Sequence, residues 1–373
     1  MDFGLSEEQE QLKESTRSFL AKECPAARVR QIMAEASGMP RELYEEIAKL
    51  GWHGLIVPEK FGGAGLTMLD MAVLLEECGY AAMPGPFLFS SAITASALAA
   101  GGSDELNARW LAPLAEGRAI GTIAIVEAGD SLDPTHLSTA ARREGSGWIL
   151  NGAKMFVPYA HAADFLVVAA RIGPSPDDVA FFVVDRKAAG VHVRQLKGVD
   201  LTRRVANVEL DGVIAAPEAQ LRGGRTIYDR VIDAGAIAIA ADSLGGIERA
   251  LEMAVEYSKI REQFGKPIGS FQAIKHAAAE IVADLEPARA LLWYAAYAFD
   301  ALPAEAPRAA AMAKARLSEV YSRGTDKAVL MHGGIGFTWE HDIHLWFKRA
   351  RFNESYFGAP PFHRERLASL SGY

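Results

Sequence analysis

The spacing of apolar residues changes twice along this chain, from a helical period to a strand period and back. Up to about residue 118, apolar positions recur every three or four residues, the helical period. Ser6 followed by Glu7, Glu8 and Gln9 predicts an N-cap with an acidic first turn. Leu12, Phe19 and Leu20 follow at helical spacing. Pro40 predicts the start of a helix that puts Leu43, Ile47 and Leu50 on one face and stops at Gly51. The stretch from Ile56 to Gly65 reads as a packing turn. It is no phosphate loop, because no Lys-Ser/Thr follows its last glycine. Met68 to Glu77 and Phe87 to Ala100 read as further helices, separated by Pro84-Gly85-Pro86.

Near Ile120 the period falls to two. Residues 122–126, 148–150, 165–170, 179–184 and 191–193 read as short strands. Gly145-Ser146-Gly147, Asn151-Gly152 and residues 174–177 read as the turns between them. Several short strands with such turns predict a sandwich or barrel. The block ends near Arg222. An Ala-rich run from Ala234 to Val255 then predicts a buried helix. The chain breaks at Gly265, Pro267 and Gly269 and restarts as a helix carrying Gln272 and His276. The expected fold is mixed α and β, mainly α. It comprises an N-terminal helical domain (1–118), a middle β domain (119–222) and a C-terminal helical bundle (223–373).

Composition narrows the function. The chain has 373 residues, half of them hydrophobic, and a formal net charge of −8, which disfavours nucleic acid or an anionic membrane as the main partner. Cys24 and Cys78 lack ligand or CxxC spacing and read as reduced thiols of a cytoplasmic protein. The acidic start, MDFGLSEEQEQL, does not read as a signal peptide. The Ala-rich segment at 234–247 is bounded by Asp233 and Glu248 and is too short to span a bilayer, so no membrane insertion is expected. A local basic group can still hold an anion. Arg261, with Phe264 three residues on and a Gly-Pro-Gly turn, can present a guanidinium fork and a ring to a flat, phosphorylated ligand.

Four stretches together resemble the acyl-CoA dehydrogenase family. They are Gly51-Trp52 with Val57-Pro58-Glu59 and Gly62-Gly63-Ala64-Gly65; Leu150 to Val157, reading LNGAKMFV; Arg261 to Gly265 with Phe271-Gln272; and Met331 to Thr338, reading MHGGIGFT. The resemblance spans nearly the whole chain and implies FAD, an acyl-CoA substrate and an electron-transfer flavoprotein or similar acceptor. It implies a homotetramer or an α2β2 heterotetramer with a related chain. Matched residue by residue, Arg261 would bind the FAD pyrophosphate of a neighbouring subunit and Phe264 would pack on the adenine end. Gln272 falls at a cofactor-side position. Gly333 and Gly334 would bring backbone amides to the phosphates. Phe156 stands where the family sets an aromatic against the flavin, although taken alone it reads as core. Val126 opens the stretch aligned with the family's Thr-Glu-Pro-Gly. His276 reads as a hydrogen-bonded core histidine, and His332, His341 and His344 do not read as a metal site.

The family reaction takes an α-proton with a carboxylate base while a hydride leaves the β-carbon for the flavin. In most relatives that base is a Glu in a turn whose counterpart here is Ser355 to Pro360, with Phe357 in the base's place. A minority place it near the position of Gly235, also without a carboxylate. Pro158 replaces a Thr, Leu330 a Gln and Ala236 an Arg that relatives use near the flavin or acyl group. Two enzymatic readings follow. One is FAD-dependent α,β-dehydrogenation of an acyl-CoA thioester, in lipid or steroid side-chain catabolism, with a displaced base. Asp233 is its first candidate, then Glu354 and Asp242. The other is a base-lacking subunit of a heteromeric acyl-CoA dehydrogenase, active only with a partner chain. A scaffold that has lost FAD is a third, non-enzymatic reading.

Overall fold

The computed structural model describes residues 4–373. Met1, Asp2 and Phe3, part of the acidic start, lie outside the described residues. Among the described residues, six α-helices come first: α1 (Glu7–Glu23), α2 (Ala26–Ala34), α3 (Arg41–Lys49), α4 (Met68–Tyr80), α5 (Ala95–Gly101) and α6 (Asp104–Ala115). Seven strands follow: β1 (Gly121–Ala124), β2 (Ala140–Glu144), β3 (Gly147–Pro158), β4 (Phe165–Arg171), β5 (Val179–Asp185), β6 (Val191–Gln195) and β7 (Val205–Ala215). Then come α7 (Arg225–Ile260), a hairpin of β8 (Glu262–Gln263) and β9 (Lys266–Pro267), and α8 (Gln272–Ala301), α9 (Ala306–His332), α10 (Ile343–Ser355) and α11 (Pro360–Leu370). The chain forms two compact units, each assembled from separated stretches. A helical unit takes Met1–Gln31, Ala72–Met83 and Ala236–Tyr373, and a sheet-containing unit takes Ile32–Met71 and Pro84–Gly235.

In the helical unit, Ser6 caps α1 in a reciprocal capping box with Gln9, as its acidic start predicts. The α4 and α7 backbones touch. A Cβ on Gly79 would strike the backbone of Asp242, and one on Gly245 the backbone of Glu76, so only glycine permits the crossing. Charged side chains tie α1 to this crossing. Arg17 bonds Glu77 and Glu248, Lys13 pairs with Glu76, and Arg289 bonds Glu248 at 2.9 Å. Glu76 and Glu77 are fully buried, and each meets its cationic partners there. Trp346 on α10 donates to the carbonyls of Gly79 and Tyr80, and fully buried Arg349 donates to those of Ala82 and Met83.

In the other unit, all seven strands form one curled, mixed sheet in the order β1-β4-β2-β3-β7-β6, with β5 paired on β4. This half-barrel realises the expected barrel-like middle domain. β1 runs parallel to β4, and β3 pairs with β7 along nearly its full length. Leu150, Val157, Leu166, Val168, Phe182, Val208 and Leu210 pack on its inner side. Asn151-Gly152 is no turn: β3 runs through it with a bulge, so one twelve-residue strand replaces the short one expected. β2 and β7 also escape the period-two reading. β2 carries the exposed polar run Arg142-Arg143-Glu144. The apolar run after Pro86 is not uniformly α-helical, because Leu88–Thr94 winds as a π-helix before α5. Leu50 lies just past α3 and is 51 % exposed, unlike buried Leu43 and Ile47.

Both cysteines are free and buried, and burial pushes the Cys24 thiol up to about 12. Among the described residues, no helix is long and apolar enough to cross a membrane.

Candidate functional site

The sheet unit holds one set of candidate residues. Lys154 on β3 is fully buried. Its ammonium meets the Glu127 carboxylate at 2.7 Å. The same carboxylate accepts from the Thr139 amide at 3.0 Å and from the amide and hydroxyl of Ser138. Burial works against the charge on Glu127, but Lys154 and these donors outweigh it and hold the carboxyl well below its usual range. Burial lowers the Lys154 ammonium, and Glu127 opposes that shift.

One residue beyond Lys154, the Met155 amide donates to the Val126 carbonyl at 2.8 Å. The next residue, Phe156, has φ +52° and sits in a register shift between Lys154 and Val157. A left-handed backbone at an aromatic residue costs about 1–2 kcal/mol. The ring is 44 % exposed, so the chain does not recover that cost by burying it. Phe156 is therefore not the core residue that its type alone suggests. A strained, displayed ring suits a flat ligand that stacks on it. The loop after Val126 is tied down at several points. Arg171 donates to the carbonyls of Pro134, Thr135 and Leu137, and the Tyr228 hydroxyl donates to that of Leu132. Asp233, on the part of α7 belonging to this unit, is 4 % exposed.

The helical unit holds the other set. The β8–β9 hairpin projects Phe264 at its tip with φ +56° and 92 % exposure. Phe271 meets it edge-on at 6.0 Å. Arg261 is exposed at the hairpin base, and Gln272 is exposed as the first residue of α8. Phe271 at the N-cap supplies no side-chain acceptor, although its carbonyl accepts from the Ile274 and Lys275 amides. Gly333 follows α9 with φ +62°, which explains that glycine. Gly334 has no such φ, and a Cβ on either would meet nothing within 4 Å. The chain's own packing does not demand glycine at 334, so a close approach from outside the chain fits these residues. His332 bonds the Ala328 carbonyl, stacks on Tyr257 and touches the His341 ring. Among the described residues no cluster of His, Cys, Asp or Glu is arranged to hold a metal. His276 is exposed, not a core histidine, because it lies on the outer face of α8.

Phe357 is the third feature of this unit. It is buried in the turn after α10 with φ +56° and an edge-on contact to Tyr356. His363 donates to its carbonyl at 2.7 Å. Fully buried Lys314 bonds the carbonyls of Asn353, Glu354 and Gly358 and the Ser318 hydroxyl. The turn is thus held rigidly and carries a ring where a carboxylate was sought. Two alternative bases have other partners. Asp242 is fully buried against Arg349 and accepts from Asn353, while Glu354 accepts from Ser322 and pairs with Arg351.

Sequence profiles of the acyl-CoA dehydrogenase N-terminal, middle and C-terminal domains match residues 6–118, 122–213 and 222–370. The chain belongs to the acyl-CoA dehydrogenase family. Acyl-CoA dehydrogenase IpdE2 of Mycobacterium tuberculosis is 33 % identical over 97 % of both chains. A chain of the ChsE4-ChsE5 complex from Mycobacterium tuberculosis superposes with a TM-score of 0.93 at 28 % identity, covering 100 % of this chain and 99 % of that one. A chain of a Tcur3481-Tcur3483 steroid ACAD variant gives a TM-score of 0.90 at 30 % identity over 98 % of each chain. The Glu127–Lys154 pair and Lys314 went unnoticed in the sequence. Lys154 lies inside a family-like motif, but no local pattern joins it to a carboxylate 27 residues earlier.

Proposed function

We propose that this acyl-CoA dehydrogenase family chain is an FAD-binding subunit, without its own base at the usual place, of a heteromeric acyl-CoA dehydrogenase. The observation that carries this reading is Phe357, a buried ring in a rigid turn where most relatives carry the base. Similarity to chains of two-component assemblies supports it, and the steroid relative favours a bulky acyl thioester as substrate. FAD, when bound, supplies the two-electron acceptor for α,β-dehydrogenation of the thioester. The chain's own residues suit that group. Arg261 offers a planar fork for a pyrophosphate, Gly333 and Gly334 open backbone amides, and Phe264 and Phe156 displayed rings. The Val126 carbonyl fixes the edge beside Phe156. An electron-transfer flavoprotein or similar acceptor would reoxidise the flavin.

Phe264, Leu330, Phe337 and Trp339 are all more than half exposed in the helical unit, which fits burial against another subunit. The test is to purify the chain alone and with a related, Glu-bearing chain. Visible spectrum, native mass and acyl-CoA turnover with an artificial acceptor are then compared. The reading expects flavin and turnover in the mixed assembly and little turnover alone. Full turnover by a pure homo-oligomer would overturn it.

Near-complete burial of Asp233 favours a second reading, an active homo-oligomer with a displaced base. An active Asp233→Asn variant would eliminate it.

A further inference from the structure

We infer that Glu127 and Lys154 are positioning residues that couple the loop after Val126 to the strained bulge at Phe156. The inference rests on the FAD reading above and goes further by assigning the groups that shape one wall of the site. Glu127 stands at the entrance of the loop, and Ser138 and Thr139 stand at its exit. One carboxylate accepts from both exit residues, so it clasps the loop shut. Lys154 pins that clasp to β3 at 2.7 Å, two residues before Phe156. The intervening Met155 amide fastens the strand to Val126. Beyond the bulge, the Thr122 hydroxyl donates to the Pro158 carbonyl at 2.6 Å, and Val157 is buried. Phe156 is therefore forced outward between two anchored points. The pair controls both elements that would face a flavin, the loop and the ring, without touching the ligand itself.

A pair serving only to stabilise the fold would behave differently from a positioning pair when both charges are removed. Lys154→Met alone strands a buried carboxylate, and Glu127→Gln alone strands a buried ammonium. The double variant removes both charges, and the carboxamide oxygen introduced at position 127 can still accept from the loop exit. Its thermal midpoint should return toward the wild-type value. The link from clasp to β3 stays broken, so its Kd for FAD should remain raised by at least about tenfold.

The experiment measures the thermal midpoint, FAD binding to apoprotein by flavin fluorescence, and the shape of the visible flavin band. Wild type, both single variants and the double variant are compared, in the presence of the partner chain if FAD requires it. Ser138→Ala removes a single bond to the clasp and serves if the larger changes prevent folding. It should weaken FAD binding in the same direction by a smaller factor. Recovery of FAD affinity together with thermal midpoint in the double variant overturns the inference. So does unchanged FAD affinity in Ser138→Ala and both single variants. Failure of wild type to bind FAD under any of these conditions overturns the cofactor reading, and the inference with it. Bound FAD in wild type with no loss in the variants overturns the inference alone.

Discussion

Lys314 makes the stability of this protein depend on pH in an unusual direction. Its ammonium is fully buried on α9 and bonds three carbonyls of the segment around Phe357. Burial pushes it from 10.5 down to about 7, against a weaker pull from Glu354. His363, beside the same turn, is pushed down to about 3 by burial and stays neutral through this range. Below pH 7 both folded and unfolded chains hold the Lys314 proton, and the buried charge exerts its full cost. Between 7 and 10.5 the folded chain has released the proton while the unfolded chain keeps it, so stability rises with pH. A difference of 10.5 − 7 = 3.5 units corresponds to about 5 kcal/mol in total. About 3 kcal/mol of it develops by about pH 9.5.

Lys314→Met removes this dependence. In mild acid the variant loses hydrogen bonds but sheds a buried charge, so the two proteins should differ little. In alkali the charge penalty is gone from wild type, and the variant should be less stable by several kcal/mol. Urea denaturation of both proteins at a series of pH values, from about 6 to 9.5, measures the gap. Parallel stability curves for the two proteins would refute a buried, titrating Lys314.

Three other outcomes follow from the geometry. Phe156→Gly should leave stability unchanged or raise it by up to about 1 kcal/mol, because glycine accepts the left-handed backbone, yet FAD titration should show weaker binding. Arg349→Met strands Asp242 in the helical unit and should cost about 3–5 kcal/mol in urea denaturation, with part restored by adding Asp242→Asn. Phe264→Ala with Phe337→Ala should change thermal stability of the isolated chain by less than about 0.5 kcal/mol, since both rings are exposed. Sedimentation should nonetheless shift toward smaller species if these rings are covered in an assembly.

The order of helices, strands and helices was legible in the chain because each reports a local period. α1 announced itself through Ser6 and Gln9, and α7 through its unbroken Ala-rich run. The hairpin at Phe264 was legible as a break, because Gly265 and Pro267 carry their backbone preferences wherever they occur. Asn151-Gly152 misled for the complementary reason. Its composition suits a turn, but pairing with β7 holds β3 extended through it and absorbs the irregularity as a bulge. Leu50 and His276 misled because exposure depends on what packs against a face, and spacing alone does not report that.

The electrostatic design belongs to the tertiary structure. Asp242 and Arg349 are 107 residues apart, and Glu127 and Lys154 are 27 apart. Nothing in either local segment marks these charges as buried partners. The strain at Phe156 and Phe357 was equally hidden, since neither residue prefers a positive φ. Local sequence determined which segments coil and which extend, through side-chain periodicity and the fixed torsions of glycine and proline. Only packing decided which charges lose their water and which rings are held against their backbone preference, because desolvation and strain arise from neighbours brought together by the fold.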